Sequence, residues 1–185
     1  MNALTQNQQK PFKALALWTA GAMIFNTLCN QVLTYSYTLS QFPVPYFVGQ
    51  LSFSAAKLTG YYQVLLQKNT LSLYWLTQYV DFFFILSVFL LHYCLTLLPI
   101  KAFQNSSKLK KAGQVMMGIA LAAPLFDVLE NLASFVLLQN PQHLSEPGAL
   151  MYSSFAALKF GGFMVTYLWL GVALIIAGVR KLKTL

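Results

Sequence analysis

Long apolar runs dominate the pattern along the chain, and short polar stretches separate them. Four runs, at about residues 14–35, 75–98, 112–138 and 150–179, each exceed the roughly 20 residues that an α-helix needs to cross a bilayer. Backbone polar groups must be paired inside lipid, and these runs lack the apolar–polar alternation of a membrane β-strand. The pattern predicts an all-α protein, a four-helix transmembrane bundle in which residues 1–185 form a single transmembrane domain.

A shorter periodic pattern lies between the first two runs, over residues 51–67. Apolar positions recur there at spacings of three and four, which is one face of a helix: Leu51, Ala55, Leu58, Tyr62 and Leu65. Ser52 or Ser54 is suited to cap its start, and Pro43 and Pro45 predict an extended path before it. Because aromatic residues crowd this region, we expect an amphipathic helix on the outer surface. It would serve either as a cover for the bundle or as a lid over a site.

The composition agrees with a membrane protein and excludes several other classes. Hydrophobic residues make up 57% of the chain and charged residues 9%, whereas a soluble domain carries about 25% charged residues. Twelve Lys and Arg face four Asp and Glu, for a net charge of +8. An ordinary globular protein, a disordered chain and a basic, polar nucleic-acid binder are therefore excluded. The lipid bilayer is the expected partner.

The basic residues predict the orientation of the bundle. Two positions, Lys57 and Lys68, fall on one side, and nine fall on the other: Lys10, Lys13, Lys101, Lys108, Lys110, Lys111, Arg180, Lys181 and Lys183. The positive-inside rule then places both termini and the 99–111 loop in the cytoplasm. The first run is too long for a signal peptide and is expected to be retained. The expected location is a bacterial inner membrane.

Three of the four acids lie inside the predicted membrane helices, where each charge costs about 2.5–3.5 kcal/mol on insertion scales. At about 1.5 Å per residue, these acids and one lysine fall roughly 9–17 Å below the outer boundary. Polar amides belong to the same predicted layer. Together they predict a ligand-binding pocket in the outer half of the bundle, formed by Asp81, Asp127, Glu130, Asn131, Lys159 and Asn26, with Asn30 one turn from Asn26.

Local spacing sharpens this prediction. Asp127, Glu130 and Asn131 stand at i, i+3 and i+4, so they share one face of the third helix. Pro124 frees a backbone carbonyl in that helix. Glycines directly after Lys159 allow a neighbouring helix to approach closely beside the lysine.

The chemistry of the layer leaves several functions open. Three carboxylates and one ammonium leave two excess negative charges, which predicts an extra proton, a bound cation, or a cationic or hydroxyl-rich ligand. The first hypothesis is binding or transport of a small polar molecule, an ion or a lipid headgroup. Because four helices are few for a transporter, this hypothesis predicts a homodimer.

Two other hypotheses stay open. In a membrane enzyme acting on a lipid or peptide, Asp127 or Glu130 would be the general acid or base, and Lys159 would tune them. In a structural or assembly protein, the charges would tie the helices together. No established catalytic motif is present in the sequence. No cofactor is expected, and no catalytic metal site, because the two histidines lie away from the acids.

The order of these features resembles an uncharacterised family of small four-helix membrane proteins. The features are an outer-loop helix that ends in a turn and a tyrosine, an aspartate in the second helix, D-x-x-E-N in the third and a lysine in the fourth. In this sequence they are the stretch Tyr61–Lys68, Tyr74, Asp81, Asp127-Val-Leu-Glu130-Asn131 and Lys159. The resemblance covers roughly residues 50–165, and it departs from the family where Asn69-Thr70 replaces an expected glycine. It implies the same fold and site residues and names no reaction.

Overall fold

The computed structural model describes residues 12–182, with side chains described to Arg180. Six helices and no strand lie within this range, so the predicted all-α class is confirmed. In chain order they are α1 (Phe12–Ser40), α2 (Tyr46–Gln50), α3 (Ala55–Gln67), α4 (Leu71–Ala102), α5 (Ser107–Leu138) and α6 (Glu146–Leu182). Lys10, Lys183 and the side chain of Lys181, which entered the orientation argument, lie outside the described part.

Four of these helices are long and apolar enough to cross a membrane. They are α1, α4, α5 and residues 146–180 of α6, and their most apolar windows have a mean hydropathy between 1.3 and 2.2. The chain is thus a multi-pass integral membrane protein. Each helix extends a few residues beyond its predicted apolar run, because polar end turns continue the backbone hydrogen bonding outside the apolar stretch.

The four long helices pack in chain order. α1 lies along α4, α4 packs against α5, and α5 packs against α6, which also touches α4. Half of the most apolar window is buried in α4 and in α5, but only 11% in α1 and in α6. α4 and α5 therefore form the centre of the bundle, and α1 and α6 flank it.

Close contact between α5 and α6 depends on one glycine. A Cβ atom built on Gly162 would come within 2.6 Å of the Ala123 side chain. The predicted close approach of a helix beside Lys159 is confirmed at Gly162, whereas Gly161 meets no neighbour within 4 Å.

The predicted outer-loop helix is present as α3 and covers the end of the bundle opposite to residues 12 and 182. Its buried face is Ala55, Leu58, Tyr62 and Leu65, as the spacing predicts, whereas Leu51, the fifth predicted position, precedes the helix and is exposed. This face packs in one cluster with Tyr74 of α4, Leu137 of α5 and Tyr152 of α6. Ser54 caps the helix, and its side chain accepts a hydrogen bond from the Lys57 backbone N–H at 3.4 Å.

Two features of the outer loop differ from the prediction. The helix begins at Ala55 rather than at residue 51, because Phe53 adopts a positive φ of 47° and Ser54 is extended. The chain is extended at Pro45, as the prolines predict, but it then forms the short helix α2, which the sequence pattern did not indicate. Residues 41–54 thus connect α1 to α3, and Phe42 of this segment packs against the cluster that α3 forms with the bundle.

Candidate functional site

A buried ion-pair cluster joins α5 to α6. The Lys159 Nζ atom lies 2.6 Å from Asp127 Oδ1 and also donates to Glu130 Oε2. All three side chains are at least 96% buried. The i, i+3 spacing turns both acids toward the lysine, as the sequence predicts.

Asp81 lies beside this cluster without touching the lysine. Its Oδ2 atom accepts hydrogen bonds from Asn131 Nδ2 at 2.9 Å and from the Tyr46 hydroxyl at 3.0 Å. Asn131 therefore connects α5 to α4. Five of the six predicted site residues come together in one layer: Asp81, Asp127, Glu130, Asn131 and Lys159.

Asn26 is the predicted residue that the structure leaves apart from this layer. Its Nδ2 atom donates to Ser87 Oγ at 3.0 Å. Ser87 lies about 9 Å further along α4 than Asp81, at 1.5 Å per residue. Asn30, one turn away, lines a cavity beside the cluster instead.

The short helix α2 contributes two site residues that the sequence pattern did not reveal. Gln50 is fully buried, and its Nε2 atom lies 2.9 Å from both carboxylate oxygens of Glu130. Tyr46, one turn earlier, donates to Asp81. The one signal available in the sequence was two polar side chains four residues apart directly after Pro45.

The environment of Tyr46 favours its role as a donor. Burial, and then the nearby Asp81 carboxylate, raise the pKa of the Tyr46 hydroxyl well above its ordinary value. The hydroxyl therefore stays protonated at neutral pH and donates a hydrogen bond to the carboxylate.

Two buried amide oxygens at the cluster lack a donor. Gln50 Oε1 and Asn131 Oδ1 have no hydrogen-bond partner in the described part of the protein. The amide nitrogens of both residues face carboxylates, which fixes the orientation of each amide. These two amide oxygens are thus unpaired acceptors beside the carboxylates.

A cavity of about 460 Å³ opens onto the cluster between α1 and α6. Asp81, Asp127 and Lys159 line it at one side together with Gln50 and Tyr46. The rest of its wall is mainly apolar and aromatic, and comprises Leu33, Tyr37, Pro45, Phe47, Phe84, Phe160 and Phe163 with the polar residues Asn30 and Thr34. Thr34 and Phe47 are exposed at the surface of the bundle. The cavity therefore opens sideways, toward the lipid that surrounds the apolar helices.

His92 has a structural environment of its own, deeper in the bundle. Its Nδ1 atom lies 2.9 Å from the carbonyl oxygen of Ala120. Pro124 has no N–H to donate to that carbonyl, so His92 supplies the missing hydrogen bond. The Tyr167 hydroxyl lies 3.3 Å from the other ring nitrogen. The carbonyl predicted from Pro124 is thus satisfied by His92, away from the acids.

Among residues 12–182, no group of three His, Cys, Asp or Glu side chains is arranged to hold a metal ion. Comparison with protein-family models, curated proteins and solved structures finds no match. The resemblance to the four-helix family therefore stays a prediction, and the function is argued from the site alone.

Proposed function

We propose that this protein binds a membrane amphiphile whose polar head carries hydrogen-bond donors and positive charge. The head would sit against Asp81 and Asp127, and the apolar tail would leave through the opening between α1 and α6. One observation carries the proposal: a cavity of about 460 Å³ whose polar end bears buried acids and whose remaining wall is mainly apolar. This volume falls within the roughly 300–1,000 Å³ of typical ligand sites.

The choice of head follows from the charges and the hydrogen bonds. Lys159 is engaged by Asp127 and Glu130, so the Asp81 carboxylate has only neutral hydrogen-bond donors among its hydrogen-bond partners. The amide oxygen of Gln50, a residue that lines the cavity, also accepts no hydrogen bond. Unpaired buried acceptors are costly, and a donor relieves that cost. A primary ammonium supplies both the donors and the charge, and a hydroxyl-rich head supplies the donors alone.

The choice of an amphiphile follows from the position of the opening. A water-soluble ligand would reach the acids from the outer end of the bundle, where α3 packs over the central helices. An amphiphile in the membrane reaches the same acids along the side, past Thr34 and Phe47. This route keeps its tail in lipid while its head enters the polar end of the cavity.

The direct test is a binding measurement in phosphatidylcholine nanodiscs. Three amphiphiles with the same alkyl chain are compared: one with a primary ammonium head, one with a glucose head and one with a trimethylammonium head. We expect the ammonium head to bind most tightly and the trimethylammonium head, which has no donor, to bind least. Because a hydrogen bond to a charged group contributes about 1.5–3 kcal/mol, Asp81→Asn should weaken binding of the ammonium head tenfold or more.

Matched controls separate the site from general effects. Glu146→Gln removes the acid outside the cluster and should leave binding unchanged. Thr34→Trp fills the opening and should weaken binding of all three heads, whereas Thr38→Trp lies one turn further and does not line the cavity. Equal binding of the three heads, or wild-type binding by Asp81→Asn, would contradict the proposal.

A structural role is the second candidate, because one lysine ties two helices together. Lys159 on α6 bonds to both acids on α5, and Gln50 anchors the outer loop to the same Glu130. In this role the cluster would fix the packing of the helices and no ligand would enter. Absence of binding by every head in the test above would favour it.

A further inference from the structure

A second cavity lies at the opposite end of the bundle, between the first turn of α1, the end of α4 and the last turns of α6. Its volume is about 220 Å³, and the residues that line it are apolar, among them Phe12, Leu98, Phe103, Leu170 and Ala177. This volume is below the roughly 300 Å³ at which sites for drug-sized ligands begin. It suits one segment of an alkyl chain.

One cationic side chain lies against a residue that lines this cavity, and two more cationic residues stand next to lining residues in the sequence. The Arg180 guanidinium lies over the ring of Phe103, 5.7 Å from its centroid. Lys13 directly follows Phe12, and Lys101 directly precedes Ala102, which also lines the cavity. Three of the four acids of the chain belong to the cluster around Lys159 and the fourth, Glu146, begins α6 at the opposite end, so this end of the bundle is strongly positive.

We infer that this cavity binds one acyl chain of an anionic phospholipid, whose phosphate is held by Arg180, Lys101 and Lys13. An apolar pocket beside converging cations matches both parts of such a lipid. Basic pockets between transmembrane helices favour anionic headgroups, at about 1 kcal/mol for each basic residue near the surface. Arginine adds bidentate hydrogen bonding to phosphate oxygens. This site is independent of the cluster around Lys159 and does not depend on the proposed function.

Charge complementarity also argues against other occupants. A hydrophobic helix of a partner protein would bury Lys13 and Lys101 against an apolar surface, which is costly without a counter-ion. A soluble anion would satisfy the charges but would leave the apolar cavity unused. An anionic phospholipid fits both the cations and the apolar cavity. Its phosphate lies at the membrane surface, and its acyl chain extends from there into the hydrocarbon.

The test is native mass spectrometry of the full chain released from an equimolar mixture of phosphatidylglycerol and phosphatidylcholine. We expect phosphatidylglycerol to be retained about tenfold over phosphatidylcholine. The double variant Arg180→Gln with Lys101→Gln should lose this preference. Ala177→Phe should reduce retained phosphatidylglycerol severalfold with no change in charge, because the ring fills the cavity.

Two matched controls define the contradicting results. Lys57→Gln with Lys68→Gln removes the same charge from the opposite end, and Ala122→Phe fills a different apolar depression between α5 and α6. Equal loss in the two charge variants would show that only net charge matters, and full retention in Ala177→Phe would show that no chain enters the cavity. Displacement of the lipid by glycerol phosphate alone would show that the chain adds nothing. Each of these results overturns the inference, and thermal melting of every variant verifies that it is folded.

Discussion

Lys159 supplies the positive charge that Asp127 and Glu130 share. Each of the three side chains is buried, so removing one leaves the others without compensation in a medium of low polarity. A single substitution in the cluster should therefore lower the free energy of unfolding strongly, whereas simultaneous replacement of all three side chains by apolar ones should change it little. This difference also means that stability and ligand binding are separable properties of the same residues.

The separation is tested with Lys159→Met and with the triple variant Asp127→Leu, Glu130→Met, Lys159→Met. We expect the single variant to lose about 3–5 kcal/mol of unfolding free energy, because two buried acids lose their partner. The triple variant should stay within about 2 kcal/mol of wild type, because apolar side chains of similar size replace the whole cluster. Unfolding in mixed micelles measures both, and Lys57→Met, at an exposed position, is the control.

A triple variant as unstable as the single one would show that the ion pairs themselves hold the helices together. If the triple variant is stable and also fails to bind the ammonium amphiphile, the residues serve the ligand rather than the fold. A stable triple variant that still binds the amphiphile would contradict the role proposed for the cluster.

Among single residues, the sequence predicted best the charged ones, because burying a charge in lipid costs the most free energy. An acid within an apolar run is evident in the sequence, and the i, i+3, i+4 spacing places such residues on one helix face. A common face for Asp127, Glu130 and Asn131 could therefore be predicted. Asn26 could not be placed the same way. An amide costs less to bury than a charge, and depth along a helix does not determine which neighbour its side chain faces.

The short helix α2 is the element that brings loop residues into the membrane-spanning bundle. It is five residues long and is held by side chains rather than by its own length, since an isolated turn of this size is not stable in water. Gln50 binds Glu130, Tyr46 binds Asp81, and the Phe53 backbone N–H donates to Ser153 Oγ at 3.0 Å. These contacts attach the outer loop to α4, α5 and α6.

We expect Gln50→Ala to release this segment. The variant removes two hydrogen bonds to a carboxylate, each contributing about 1.5–3 kcal/mol, so amide exchange over residues 46–53 should accelerate tenfold or more. Exchange within α3 should change less, because its apolar face still packs on the bundle. Hydrogen exchange read by mass spectrometry measures both segments.

Gln63→Ala, at an exposed position of α3, is the matched control and should leave exchange over residues 46–53 as in wild type. Unchanged exchange in Gln50→Ala would mean that the prolines and aromatic contacts alone hold α2 in place.

The elements were predictable in proportion to their length. Runs of about 20 or more apolar residues have one physical solution in lipid, so the four spans could be located to within a few residues. α2 has too few residues to show a period, and the prolines before it indicate extended chain. Its position is decided by the acids of other helices, which lie far away in sequence.

The whole molecule is polarised, with the acid cluster toward one end and most of the basic residues at the other. An even number of spans places residues 12 and 182 on the same side, and the basic residues predict that this side is the cytoplasm. Length and apolar character alone define the spans, so the orientation stays a prediction.

Single cysteines at two exposed loop positions test the orientation. In a background with Cys29 and Cys94 replaced, Gln142→Cys should react with a membrane-impermeant maleimide added from the outer side of the membrane. Gln104→Cys should react only after the membrane is opened. The reverse pattern would invert the orientation and place the acid cluster in the cytoplasmic half.

The order of the charges along the chain bears on how the protein is made. The ribosome delivers α5, with Asp127 and Glu130 uncompensated, before it delivers Lys159, and each acid opposes entry of a lone helix into lipid by about 2.5–3.5 kcal/mol. The connection between α5 and α6 is short, residues 139–145. The two helices therefore enter the membrane most favourably together, as a hairpin in which Lys159 of α6 pairs with both acids of α5. Insertion of α5 into the membrane then depends on synthesis of α6, whereas α1, which carries no acid, can be inserted alone.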